Sequence, residues 1–299
     1  MSPPDPRPDG QRLLVPLYVH PDADPAAWAA LEAAAPRLHG VVLNVADGPG
    51  SRPDPSFGAV AERLRGAGVR LLGYVDTGYG HRPPRAVVGD IRRHRRWYGV
   101  DGVFLDQTAA QAAHLPHYRR LVMLARALGA RTAVLNPGTH PDPGYARVAD
   151  LLVTFEGTWE TYRRAGVPPW TADHPPARFC HLVHGVPAGH AAHVARTAGD
   201  RGAGVHCAVP GEGANPWRAA PWVNGEPRSA DGGPSPGGGT SPGADGPEPG
   251  PDPRLRTEGD PLPAGRHPLP ADGTLPGTDG IRPGAGGPGP GGSLRRRVR

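Results

Sequence analysis

Three carboxylates, Asp76, Asp106 and Glu156, each close a short apolar run, and neighbouring runs close on other polar or aromatic residues: Tyr18 and His20, Asn44, Gln107, Asn136 and His184. One polar residue after an apolar run is ordinary loop entry. A whole series, brought to one rim by parallel strands, lines a site. Carboxylates, amides, imidazole and aromatic rings without a Gly-rich phosphate loop suit hydrolysis of a polar, hydroxyl-rich substrate. Breaking a glycosidic bond needs two carboxyl groups in different environments, one to protonate the leaving oxygen and one to attack or to stabilise positive charge. Asp106 and Glu156 fit that pair best, because GVFLD and LLVTFE hold each directly behind a strongly apolar stretch. Asp76 reads equally as a third acid, binding hydroxyls or tuning Asp106, and as a loop cap before Thr77 and Gly78.

Sugar rings present apolar C–H faces that stack on aromatic rings, and Tyr18, Tyr74, Tyr79, Trp159 and Trp217 lie in or beside these rim segments. Tyr18 and Trp217 are the expected ligand contacts. Tyr74 also reads as an outward core residue, and Trp159 as a helix-packing one. His181 and His184 are three apart on one run, which places them on opposite faces of a strand. With no HExxH motif either, no metal and no cofactor are expected.

The elements that must position these groups follow from the pattern. Eight β-rich runs start at Leu13, Val41, Val69, Gly102, Arg131, Leu151, Phe179 and Gly204, and Ala/Leu/Arg-rich segments separate them. Such alternation signals βα units and a parallel sheet. Asp24 is a candidate N-cap with Pro25 at the first helical position. Gly66 and Gly68 suit a helix C-terminus. The segment from Leu115 carries Tyr118, Val122, Leu124, Ala125 and Leu128 near one face and Arg119, Arg120 and Arg126 around the other. The segments after the fifth and sixth strands are short enough for single turns. Eight units in about 200 residues point to a compact (β/α)8 TIM barrel. An open doubly wound sheet would carry a Gly-rich loop after its first strand, and YVHPDADP has none.

Composition divides the chain. Residues 224–299 hold 36 of the 86 glycines and prolines and no Phe, Trp or Tyr, so they offer too little apolar surface to offset the entropy of ordering. The expected organisation is a disordered N-terminus at 1–11, a barrel at 12–223 and a disordered Pro/Gly-rich tail at 224–299. The formal charge is +5 and every basic residue is Arg, scattered among 28 acids, which argues against a nucleic-acid partner. Two cysteines exclude a disulfide scaffold. No apolar run has the roughly 20 residues of a membrane span, and MSPPDPRPDG shows no secretory signal. A monomer is expected.

Taken together, LLVPLYVHPD, GYVDTGYG, GVDGVFLDQ, LNPG, VTFEGTWETY and ANPWRAAPW resemble the spherulation-specific family 4 (spherulin-4-like) proteins over about residues 12–223. The resemblance implies a (β/α)8 glycoside hydrolase acting on α-1,4-linked galactosamine or N-acetylgalactosamine polysaccharide, in an extracellular or cell-surface setting. It also implies an Asp–Glu pair after the fourth strand and a Glu after the sixth, matching Asp106, Gln107 and Glu156, so that an amide here replaces the second acid. Asp106 is expected as nucleophile or charge stabiliser and Glu156 as proton donor. Tyr18, Asn44, Asp76, Gln107, Asn136, His184 and Trp217 are expected to bind substrate. The alternative is a non-catalytic carbohydrate-binding barrel that has lost one acid at Gln107. A hydrolase of another polar substrate is a weaker third reading.

Overall fold

The computed structural model describes residues 12–221. The expected N-terminal segment and Pro/Gly-rich tail lie outside the described residues. Eight parallel strands, β1 (Arg12–Pro16), β2 (Leu38–Leu43), β3 (Leu71–Asp76), β4 (Gly102–Asp106), β5 (Thr132–Leu135), β6 (Leu151–Thr158), β7 (Phe179–His184) and β8 (Val205–Ala208), close into a barrel in chain order. Between them run α1 (Pro25–Ala33), α2 (Pro55–Gly66), α3 (Pro84–Tyr98), α4 (Leu115–Ala127), α5 (Trp159–Arg164) and α6 (Ala191–Asp200). The connection from β5 to β6 carries only a 3-10 turn at Pro143–Arg147, and α5 has six residues, as the short spacers required.

Local signals account for the helix ends. Asp24 accepts a hydrogen bond from Ala27 N at 2.9 Å ahead of Pro25. Asp54 caps α2 by accepting from Ser56 N and Phe57 N. Gly68 follows α2 at φ +80, a left-handed conformation that glycine adopts without a Cβ clash. On α4 the buried stripe is Tyr118, Leu121, Val122 and Ala125. Leu124, expected on that face, is instead exposed, because six residues beyond Tyr118 a helix has turned well past the stripe.

The period-2 alternation of the strands divides two cores. Leu72 and Tyr74, Phe104, Val134, Val153, Cys180 and Leu182, and Val205 and Cys207 share one buried cluster inside the barrel. The opposite alternation, with Val75, Val103, Leu105, Ala133, Leu135 and Leu152, packs outward against Val87 and Ile91 of α3 and the stripe of α4. Both cysteines are buried free thiols. The inward alternation decides what reaches the mouth. Two residues beyond Tyr74, Phe104, Val134 and Leu182 stand Asp76, Asp106, Asn136 and His184, so all four continue the inward face.

Glu156 does not obey that count, since it stands three residues beyond inward Val153. The register of β6 against β7 shifts between Val153 and Phe155: Val153 pairs with Cys180, Phe155 with His181 and Glu156 with inward Leu182. One extra residue in β6, a β-bulge, therefore turns Phe155 outward onto Tyr162, with ring centroids 4.8 Å apart, and Glu156 inward.

Buried His94, His181 and His206 and half-buried His39 couple this framework to pH. Burial is the largest influence on each: His39, His94 and His206 are pushed down to about 4 and His181 to about 3. They are neutral in the fold, whereas an unfolded histidine takes up a proton below about pH 6.5. The unfolded state thus binds more protons in this window, so the stabilisation is complete above about pH 6.5 and is lost as pH falls towards 4. The melting temperature is expected to fall steadily on titration from about pH 7 to about pH 4, and calorimetry showing a flat profile would contradict this.

Candidate active site

At the mouth of the barrel the inward residues of β4, β5 and β6 meet. Asp106 ends β4 and is 7% exposed. Each of its carboxyl oxygens receives a donor: Tyr74 Oη donates to Oδ2 at 2.7 Å, and Asn136 Nδ2 donates to Oδ1 at 2.6 Å. Asn136 Nδ2 also donates to Glu156 Oε2 at 2.5 Å. An amide nitrogen carries two hydrogens, so this one serves both carboxylates. Trp217 Nε1 donates to the other Glu156 oxygen, Oε1, at 3.1 Å.

The orientation of that amide is set by the turn that follows β5. Gly138 N donates to Asn136 Oδ1 at 3.0 Å, which turns the amide nitrogen towards the acids. Gly138 O accepts from Glu156 N at 2.9 Å, tying the same turn to the bulged end of β6. Gly138 adopts φ +67, and a Cβ there would meet Glu156 Cβ at 3.6 Å. Pro137 between them restricts the chain further.

Because both carboxyl oxygens lie within 2.6 Å of one nitrogen, Asp106 Oδ1 and Glu156 Oε2 are no more than about 5 Å apart. Carboxyl groups that act by double displacement stand about 5 to 5.5 Å apart and pairs that hold a water between them about 6.5 to 9.5 Å apart; two oxygens bridged by one amide draw the groups towards the first arrangement.

Around this pair the other expected residues fall into two groups. Trp217 is 1% exposed; its ring packs edge-on against His184 at 5.9 Å, so it supports Glu156 from within the core. Tyr18 donates its backbone N–H to Trp217 O at 2.8 Å, and its ring meets Tyr74 edge-on at 5.6 Å. These three therefore connect the end of β1, the segment after β8 and the acids. Asn44 and Asp76 stand at the rim, but each commits an oxygen to its own loop: Asn44 Oδ1 accepts from Gly48 N at 2.9 Å and Asp76 Oδ1 from Gly78 N at 2.6 Å. Gln107 takes a left-handed backbone, φ +49, and its carbonyl accepts from Tyr79 N at 2.7 Å and Thr77 Oγ1 at 2.8 Å.

Tyr74 is the site residue that sequence reasoning left open. The signal was present in GYVD, where Tyr74 shares a strand face with Asp76 and so points inward if Asp76 does. Its carbonyl accepts from Nε2 of buried His94 at 2.7 Å, and the His94 ring fills the space a Cβ on Gly73 would occupy, 2.6 Å from the nearest ring atom. The helix α3 thereby supports the strand segment that carries Tyr74.

The family model described as Spherulation-specific family 4 matches residues 12–208. Spherulin-4 of Physarum polycephalum is 37% identical over 150 residues, 48% of this chain and 44% of its own length, so the chain spans less than half of that curated relative. Among solved structures, Sph3 of Aspergillus clavatus, in complex with GalNAc, is similar at a TM-score of 0.62 and 28% identity, covering 70% of this chain and 92% of that one.

Proposed function

The chain belongs to spherulation-specific family 4, and from that membership we propose that it is a glycoside hydrolase that cleaves an α-1,4-linked galactosamine or N-acetylgalactosamine polysaccharide with Asp106 and Glu156. The observation that carries the reading is the single Asn136 amide bonded to both acids, which keeps two carboxyl groups on one side of the mouth and close enough to share one linkage. The GalNAc held by Sph3 supports an amino-sugar substrate.

In the proposed mechanism Asp106 attacks the anomeric carbon while Glu156 gives its proton to the departing glycosidic oxygen; Glu156 then takes a proton from water as that water displaces Asp106. Both acids receive a donor on each oxygen, so the roles are assigned from their exposure: buried Asp106 is held rigidly for attack. Glu156 is the more exposed of the two acids and the one open to a leaving group. A net double displacement retains the anomeric configuration.

Incubation of the full chain with galactosamine polymers of graded acetylation is expected to release new reducing ends from at least one of them. No release from any would overturn the reading. Trp217→Phe keeps the ring against His184 and removes the N–H that holds Glu156 Oε1. Its kcat is expected to fall about tenfold, the equivalent of one modest hydrogen bond, with the melting temperature little changed; an unchanged kcat would remove Trp217 from the site.

A second reading rests on Gln107, which stands where the family resemblance implies an acid. In that reading the barrel binds the polysaccharide without cleaving it. Saturable binding with no new reducing ends, together with activity gained in Gln107→Glu, would support it over hydrolysis.

A further inference from the structure

Three consecutive residues after β3, Gly78, Tyr79 and Gly80, have left-handed backbones, with φ of +53, +54 and +86. Glycine adopts this conformation freely, but a tyrosine there is strained by roughly 1 to 3 kcal/mol. The turn is held in place nonetheless. Tyr79 N donates to the carbonyl of Gln107, the residue after Asp106, at 2.7 Å; Gly80 N and Arg82 N both donate to Thr77 O. The Thr77 hydroxyl, with one hydrogen to give, lies 2.8 Å from the carbonyls of both Asp106 and Gln107 and can donate to either. His114 packs so closely on Gly80 that a Cβ there would stand 2.9 Å from its Nδ1.

A strained aromatic residue usually gains its place by packing. The Tyr79 side chain is only partly covered: Tyr79 is 40% exposed. The other large apolar residues exposed among the described residues, Met123 and Leu124, lie on α4, whereas Tyr79 follows the C-terminal end of β3. Strained residues of this kind concentrate at ligand clamps, and a tyrosine ring offers a flat apolar face with a polar edge.

We propose that Tyr79 is a stacking platform for a sugar unit of the polymer next to the pair being cleaved, on the β3 side of the mouth, so that the site grips a longer chain than the reaction itself requires. The inference rests on the glycoside hydrolase reading. In this role the ring supplies binding to a unit remote from the broken bond, and the braced turn fixes its distance from Asp106.

The test uses the full chain, Tyr79→Gly and Tyr79→Trp on a size series of α-1,4-linked galactosamine oligomers, at the acetylation that the wild-type protein cleaves. Tyr79→Gly relieves the left-handed strain, so its melting temperature is expected to hold or rise. Its kcat/KM is expected to fall about tenfold on the longest oligomers, chiefly through KM, and progressively less as the chain shortens. Tyr79→Trp should keep the wild-type dependence on length. An equal loss at every length, a loss paired with a lower melting temperature, or no loss at all would overturn the platform while wild-type cleavage upheld the hydrolase. Wild-type protein that cleaves no oligomer would instead overturn the hydrolase reading, and the platform with it.

Discussion

Asp106→Asn is expected to lower kcat/KM on the polysaccharide by about 10⁴-fold or more, with the melting temperature nearly unchanged. The substitution keeps the size and most of the hydrogen bonding of a side chain that Tyr74 and Asn136 hold at 2.7 and 2.6 Å, and removes the charge that would attack the anomeric carbon. Glu156→Gln is expected to behave differently. It should lose about 10² to 10⁴-fold on the natural linkage, the range of a general acid, yet retain much of its rate on an aryl glycoside whose leaving group needs no proton. Steady-state kinetics of both variants on both substrates separates the roles. Equal losses on the aryl glycoside would contradict the assignment of Glu156 as proton donor, and wild-type turnover in either variant would remove that residue from the reaction.

Asn136→Ala is expected to reduce kcat by about 10² to 10³-fold although Asn136 donates no proton and forms no bond to substrate in this mechanism. Its amide links Asp106 and Glu156, and without it the two acids lose a shared donor in a mouth where Asp106 is buried. Two carboxylates this close repel once both are ionised, so with the shared donor gone the basic limb of the pH–rate profile, where the proton donor is lost, should move to higher pH. Asn136→Asp, which keeps the shape and places a third acid between the other two, is expected to be at least as impaired. A pH–rate profile identical to wild type in Asn136→Ala would show that the amide is a packing residue only.

Much of this arrangement is legible in the amino-acid sequence. Alternating apolar runs and helical spacers give the barrel, and the period of a strand carries inward Tyr74, Phe104, Val134 and Leu182 on to Asp76, Asp106, Asn136 and His184. Glu156 shows where that reasoning stops. In LLVTFEG a regular strand puts Val153 and Phe155 on one face and Glu156 on the other, so strict alternation would send either Val153 or Glu156 outward. The bulge that resolves the conflict depends on how β6 pairs with β7 and has no local signature such as a glycine in the extra position. Trp217 illustrates a second limit. Its place beyond the last strand suggested a stacking surface, but whether a ring faces a cleft or the core depends on the neighbours it meets, and here those are His184 and Glu156. Asn44 and Asp76 illustrate a third, because short polar side chains before glycine-rich loops can satisfy the loop as readily as a ligand.

The stereochemistry of the fresh product tests the paired-acid geometry most directly. Proton NMR of an α-1,4-linked galactosamine oligomer, recorded from the first minutes of incubation with the wild-type chain, reads the anomeric configuration before mutarotation mixes it. Carboxyl oxygens bridged by one amide nitrogen and no more than about 5 Å apart predict the α-anomer first. First appearance of the β-anomer would mean that water attacks directly, and Asp106 and Glu156 as drawn together here could not be the pair that performs the reaction.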